Sequence, residues 1–167
     1  DEQPKDLFET SEINESNNFL FRLNAAKRIE KQRNHAILHL NGSNSNDWII
    51  YSDSDEIPDL SRIQLKESKN KIILFKQKVF HYKFNLLLVS HDWFGSKACK
   101  YKDLKSITEL RNIKTKKYDW WRIDTMLKKD KFMDLGVVDD GGWHFTELKS
   151  PKDIYVKHKN DEHHDEF

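Results

Sequence analysis

The chain predicts an α/β fold. Three observations carry that prediction. Apolar residues recur at helical spacing from Phe19 to Leu40, at Leu20, Leu23, Ala26, Ile29, Ile37, Leu38 and Leu40. Short apolar runs of strand length follow, at residues 47–52, 71–75 and 79–90. Two further helical patterns, 104–113 and 119–129, come before a last extended run at 132–138. Helices interleaved with strands are the mark of the α/β class.

Each element has a local reason. Residues 1–18 are polar and rich in Glu, Ser and Asn, so they form a lead segment; residues 19–167 read as a single domain. Gly42 stops the first helix. The run Asp47 to Ser52 is a buried strand, and Pro58 to Lys66 is expected as a short helix with Leu60, Ile63 and Leu65 inward. Lys71 to Phe75 is the second strand. Val79 to Ser90 is expected as a third, with Phe80, Tyr82 and Phe84 alternating before Leu86 to Val89. Trp93-Phe94-Gly95 is a turn. The extended run at 132–138 leads into Asp139-Asp140-Gly141-Gly142-Trp143-His144-Phe145, and residues 152–167 form a charged, His-rich tail.

Composition narrows the function classes. At 167 residues the chain is long enough for one real core. Aromatics at 12% set it apart from disordered sequences. Twenty-nine basic residues against 28 acidic give +1, so neither a nucleic acid nor a membrane surface is implied as partner. The cluster Lys114 to Lys117 is a solvated loop. Cys99 is the single cysteine, so no internal disulfide forms, which fits a reducing compartment. No apolar run reaches the ~20 residues of an integral membrane segment, and no signal peptide opens the chain.

The chemistry concentrates at Asp53-Ser54-Asp55-Glu56-Ile57-Pro58, directly after Trp48-Ile49-Ile50-Tyr51. Asp53 and Asp55 stand at i and i+2, on the same side of an extended chain. Carboxylates select Mg²⁺ or Mn²⁺, ions that keep open positions for substrate phosphates. The plain alternative is a turn, which Asp and Ser also favour. A calcium loop of the EF-hand kind is excluded, because it needs an oxygen ligand where Ile57 stands and Gly where Pro58 stands. A haloacid-dehalogenase-like phosphatase would use Asp53 as nucleophile and Asp139-Asp140 as distal metal ligands, but it leaves Gly142-Trp143-His144 unexplained.

The acidic run followed by Gly142-Trp143-His144-Phe145 resembles glycosyltransferase family 17, the β-1,4-mannosyl-glycoprotein β-1,4-N-acetylglucosaminyltransferases. Gln32-Arg33-Asn34 before Ala36-Ile37 is similar to the family's stretch upstream of the acidic motif. Phe80-His81-Tyr82 with Trp93-Phe94-Gly95 resembles its middle segment, and Lys157 with His164-Asp165-Glu166-Phe167 its closing pattern. The resemblance spans residues 28–167. The family's longer N-terminal part has no counterpart in residues 1–27, so the chain is expected to be the C-terminal portion of the family domain.

The resemblance implies a partial GT-A-like mixed sheet flanked by helices. It implies an inverting, metal-dependent transfer of N-acetylglucosamine or a related sugar from a UDP-sugar to a glycan hydroxyl. Asp53, Asp55 and His144 would hold Mn²⁺ or Mg²⁺. Arg33, Asp53, Glu56 and Lys157 would contact the sugar nucleotide. Trp143 and Gly142 would meet the acceptor glycan, and Asp140, Asp139 and Glu147 are the candidates for the general base. The same reading expects a cytoplasmic microbial or viral enzyme, acting free or at a membrane surface, and leaves its oligomeric state open. The third alternative, beside the phosphatase, is a non-catalytic remnant that binds nucleotide or glycan.

Overall fold

The computed structural model describes residues 3–8, 18–114 and 134–160. The chain is mixed α/β, and it divides into two compact units: residues 1–41 with 149–167, and residues 42–148. The expected helix at 119–129 and the closing residues 161–167 lie outside the described residues.

In the first unit, the expected helix at 19–40 is α1 (Asn18–His35) continued by a 3₁₀ turn, Ala36–His39. Asn24, buried on α1, accepts from the Phe8 N–H at 2.9 Å and donates to the Phe8 carbonyl at 3.0 Å, which ties the leading segment to the helix. The His-rich tail expected at 152–167 is helical as far as it is described, in α3 (Pro151–Asn160), opened by Ser150, whose hydroxyl accepts from the Asp153 N–H.

Among the described residues, the second unit holds eight strands in two four-stranded sheets. The first sheet contains β1 (Trp48–Tyr51), β6 (Lys97–Lys100), β3 (Ile72–Phe75) and β7 (Leu135–Val138), in that order. The second contains β2 (Glu56–Pro58), β8 (Gly142–Thr146), β4 (Gln77–His81) and β5 (Leu87–Trp93). Both sheets are mixed: β3 pairs with β7 and β4 with β8 in parallel, and the other pairs are antiparallel.

The first sheet is packed on both faces, as strands of near-continuous apolar sequence require. Ile73, Phe75, Ala98 and Val138 form one core layer against Trp48, Ile50, Ile63 and Leu65. Leu74 and Cys99 form the other with Leu110 and Ile113, which come from the short helix α2 (Ile107–Asn112) and the residue after it. Ser106 caps α2 by accepting from the Glu109 N–H at 2.9 Å. Burial holds the Cys99 thiol up at about 11, so it stays protonated.

Two expectations are corrected, and three strands were not expected. The stretch 79–90 is the heart of a hairpin, not one strand. The chain reverses at Tyr82, whose φ is 66°, and Leu86 returns a carbonyl to the His81 N–H. The alternation through Tyr82 and Phe84 imitated strand period across that turn. The expected helix at 58–66 is two 3₁₀ turns, Leu60–Arg62 and Leu65–Glu67, because Pro58 stays in β2 and Asp59 accepts from the Ser61 N–H to start the first turn. Strands β2, β6 and β8 went unpredicted; each is at most five residues long and begins or ends in Gly, Pro or Lys.

Candidate functional site

The two sheets share a seam. Around it β3 runs into β4, β5 into β6, and β7 into β8, each within a few residues. The order β6-β3-β7 on one side matches β5-β4-β8 on the other. The first strand alone changes edge: β1 lies beside β6, whereas β2 lies beside β8. Residues 52–55 make that crossing, so the acidic run lies across the seam, with Gln77 and Ser96 in reach.

The crossing is held by polar bonds. The Glu56 N–H closes a turn on the Asp53 carbonyl at 3.0 Å. The Ser52 hydroxyl bonds the Glu56 carbonyl and the Ser96 hydroxyl, which also accepts from Gln77 Nε2 at 2.9 Å. From there β2 runs antiparallel to β8, pairing Glu56 with His144, Ile57 with Trp143 and Pro58 with Gly142. The Phe145 N–H extends the ladder to the Asp55 carbonyl at 2.8 Å. The acidic run and the Gly-Trp-His segment are therefore adjacent strands.

The turn before β8 is a bulge. Phe75 faces Val138 in the parallel pair, an offset of 63 residues, while Lys78 faces Trp143, an offset of 65. Two extra residues are thus accommodated within Asp139–Gly142, where Asp140 has φ 48° and Gly142 φ 127°. A Cβ on Gly142 would lie 2.0 Å from the Ile57 carbonyl oxygen, so only glycine lets β2 approach β8 here.

The acidic side chains divide into two environments. Asp53 accepts from the Tyr51 hydroxyl at 2.6 Å and from Arg111 Nε at 3.0 Å, with Arg111 Nη2 at 2.9 Å. Glu56 has a side chain with no exposed surface. Its Oε1 takes Trp93 Nε1 at 2.7 Å and Arg111 Nη2 at 3.3 Å; its Oε2 takes the Asp53 N–H at 3.1 Å and the Ser96 hydroxyl at 3.4 Å. Gly95 lies hard against this carboxylate, since a Cβ there would meet Glu56 Oε1 at 1.8 Å. Lys97 adds a second buried cation, its Nζ donating to the Arg111 and Ile113 carbonyls, the latter at 2.6 Å. Burial, then the neighbouring Arg111, brings the Lys97 ammonium down to about 8 against the pull of Glu56 and Asp53.

Asp55 stands apart from that network, with 45% of its side chain exposed. Its Oδ2 is 3.5 Å from Nε2 of His144, a residue only 8% exposed. The His144 ring stacks on Trp93 at 4.6 Å, and its Nδ1 is buried without a hydrogen-bond partner. Two donors bonded to one ion at ~2.1 Å each stand roughly 3.0–3.4 Å apart, and this pair, at 3.5 Å, is slightly wider than that. Asp53, engaged by Arg111, does not join them, and among the described residues no group of three His, Cys, Asp or Glu side chains gathers for a metal.

The other candidate residues lie elsewhere on the unit or outside it. Strand alternation turns Trp143 to the face opposite His144, where it is 40% exposed beside Ile57 and Lys78. That face carries a cleft of about 340 Å³ whose walls include Lys76, Lys78, His91, Asp92, Asp139 and Asp140. Asp140 is paired with Lys78 at 2.9 Å, and this hydrogen-bonded ammonium holds its carboxyl below the usual range. Glu147 has φ 57° just after β8. Arg33 and Lys157, on α1 and α3, belong to the first unit. Arg111, Trp93, Ser96 and Lys97 went unrecognised as parts of the acidic site; only the Trp93-Phe94-Gly95 turn carried a signal.

Compared with protein-family models, with curated proteins and with solved structures, the chain matches none.

Proposed function

We propose that this chain is a metal-dependent glycosyltransferase domain of GT-A type, similar to glycosyltransferase family 17, which moves N-acetylglucosamine or a related sugar from a UDP donor to a glycan hydroxyl. One observation carries the reading. The two segments that bear the resemblance, far apart in sequence, are neighbouring strands in register, Glu56 to Pro58 against Gly142 to His144.

Asp55 and His144 are the residues suited to a divalent ion, which when bound supplies positive charge to the oxygens of the departing diphosphate. Two protein ligands would leave further positions of such an ion to oxygens of the substrate and water. Asp53 and Glu56 act one step back: through Arg111 and Trp93 they hold the loop and the His144 ring in place. Trp143, exposed on the sheet face opposite His144, does not share a face with Asp55 and His144 and carries no part of the reading. Inversion needs a base at the acceptor hydroxyl. Asp140, acidified by Lys78, is the weakest of the three candidates, leaving Asp139 and Glu147. The phosphatase alternative is not adopted, because Asp53, its nucleophile, is bonded to Tyr51 and Arg111.

The test is calorimetry with UDP in the presence of Mn²⁺, followed by UDP release from UDP-N-acetylglucosamine with a glycan acceptor. Mn²⁺-dependent UDP binding that vanishes in Asp55→Ala, with turnover, supports the transferase. Binding without turnover supports the non-catalytic remnant, and no binding overturns both.

A further inference from the structure

We propose that the outer edge of β5 is a self-association surface: two copies of this chain pair their β5 strands antiparallel about a two-fold axis, joining two four-stranded sheets into one of eight strands. The inference is independent of the glycosyltransferase reading and of any metal.

The topology leaves a strand position vacant. In the first sheet β1 covers the outer side of β6. β5 runs on into β6, yet among the described residues no strand covers it on that side, because the chain leaves β1 and crosses to β8. The vacant edge is also unguarded. Short length, proline and lysine are common protections of a sheet edge. The opposite edge of the same sheet has two of them, since β2 is three residues long and ends in Pro58. β5 is seven residues long, has neither proline nor lysine, and is exposed at six of its seven positions. Lys78 faces Asp92 while Val79 faces Leu88, so Val89, Ser90 and His91 bulge from the pairing with β4. The bulge presents an apolar side chain, Val89, which is 86% exposed.

Area and charge select a second copy as the occupant. Tyr82, Phe84, Leu86, Leu87, Leu88 and Val89 are all exposed. Covering them on both copies removes about 1,200 Å² in total, the lower bound for a specific interface. The charges are self-complementary. Residues 84–91 contain no Asp, Glu, Lys or Arg, so no like charges meet across the axis. With the axis at Leu88, Leu87 faces Val89 of the other copy. Lys83, five positions before Leu88, is then carried to the end of the other strand where Asp92 stands, four positions after Leu88. Asp92 is bonded to Lys76 at 2.9 Å but keeps 60% of its side chain exposed, and the long Lys83 side chain spans the diagonal to it.

The experiment is sedimentation equilibrium of the full chain across the micromolar range, at low ionic strength. Wild type should approach twice the monomer mass as concentration rises. A monomer throughout, or growth beyond two copies, overturns the proposal. Val89→Lys sets a charge on the edge and should weaken association roughly tenfold or more. Circular dichroism verifies folding, and a folded Val89→Lys that associates like wild type overturns the proposal. If that variant does not fold, the charge variants decide, since Lys83 and Asp92 are both exposed. Lys83→Glu alone and Asp92→Lys alone each oppose like charges across the axis, so each should associate several-fold more weakly than wild type. Mixed in equal amounts, the two variants should recover the wild-type strength, because each supplies the charge that the other lacks. Single variants as strong as wild type, or a mixture no stronger than its components, overturn the antiparallel pairing.

Discussion

Asp53 and Asp55 are separated by one residue, yet they occupy opposite electrostatic situations. Asp53, with Glu56, is held by Arg111, and Lys97 lies close enough to feel both carboxylates, while Trp93 and Ser96 bond the Glu56 carboxylate. Asp55 is nearly half exposed, and among the described residues its carboxylate meets the imidazole of His144 at close range, besides the strand bond made by its own carbonyl. The difference teaches that an acidic motif is not a uniform patch of charge. Buried Glu56 must be neutralised internally, because unpaired charge in a low-dielectric interior is costly. The half at the surface escapes that requirement and stays available to a ligand.

The comparison is broken most severely at Glu56. Glu56→Ala leaves Arg111 short of a partner and removes the acceptor for Trp93 Nε1. Loss of a buried charge partner costs about 3–5 kcal/mol, and chemical denaturation should register it. A variant with wild-type stability would mean that Glu56 is not the partner that neutralises Arg111.

Lys97 gives the next effect, and its sign is set by pH. Its folded value of about 8 lies below the ordinary 10.5. Below pH 8 both folded and unfolded chains carry the proton, and stability bears the full cost of the buried charge. Between pH 8 and 10.5 the unfolded chain holds a proton that the folded chain has released, so stability rises with pH. The gain is about 3 kcal/mol across that window. Comparing unfolding free energies of wild type and Lys97→Met at pH 7.5 and 10.5 isolates it; equal pH slopes would mean that the ammonium is solvated.

Much of this architecture was open to sequence reasoning, and the rest was closed to it for definite reasons. The helix from Phe19 and the strands ending at Tyr51 and Phe75 announce themselves because their apolar pattern is local. The pairing of Glu56 with His144 is not local, and no periodicity in either segment encodes it. Arg111 carries no signal at all: a single arginine in a six-residue helix is indistinguishable from a surface charge, and it meets Asp53 58 residues away in sequence. Tyr82 misled for the opposite reason, since its aromatic alternation is real but spans a reversal at positive φ. Local chemistry identified the acidic run; only tertiary placement divided it.

Asp53→Asn should fall between the extremes. It weakens the charge-assisted bonds from Arg111 and Tyr51, at about 1.5–3 kcal/mol, but leaves Glu56 paired.

Asp55→Asn should be the quietest in stability and the loudest in binding. Its side chain is nearly half exposed, and surface substitutions of this kind stay within about 0.5 kcal/mol. The amide keeps the shape and removes the charge, so Mn²⁺ binding by calorimetry should disappear while the denaturation midpoint hardly moves. The two aspartates then give opposite signatures: Asp53→Asn lowers stability and Asp55→Asn abolishes the ion. If instead Asp53→Asn abolished Mn²⁺ binding without loss of stability, Arg111 would have to surrender Asp53 to the ion, and the division of the acidic run would be a property of the resting protein alone.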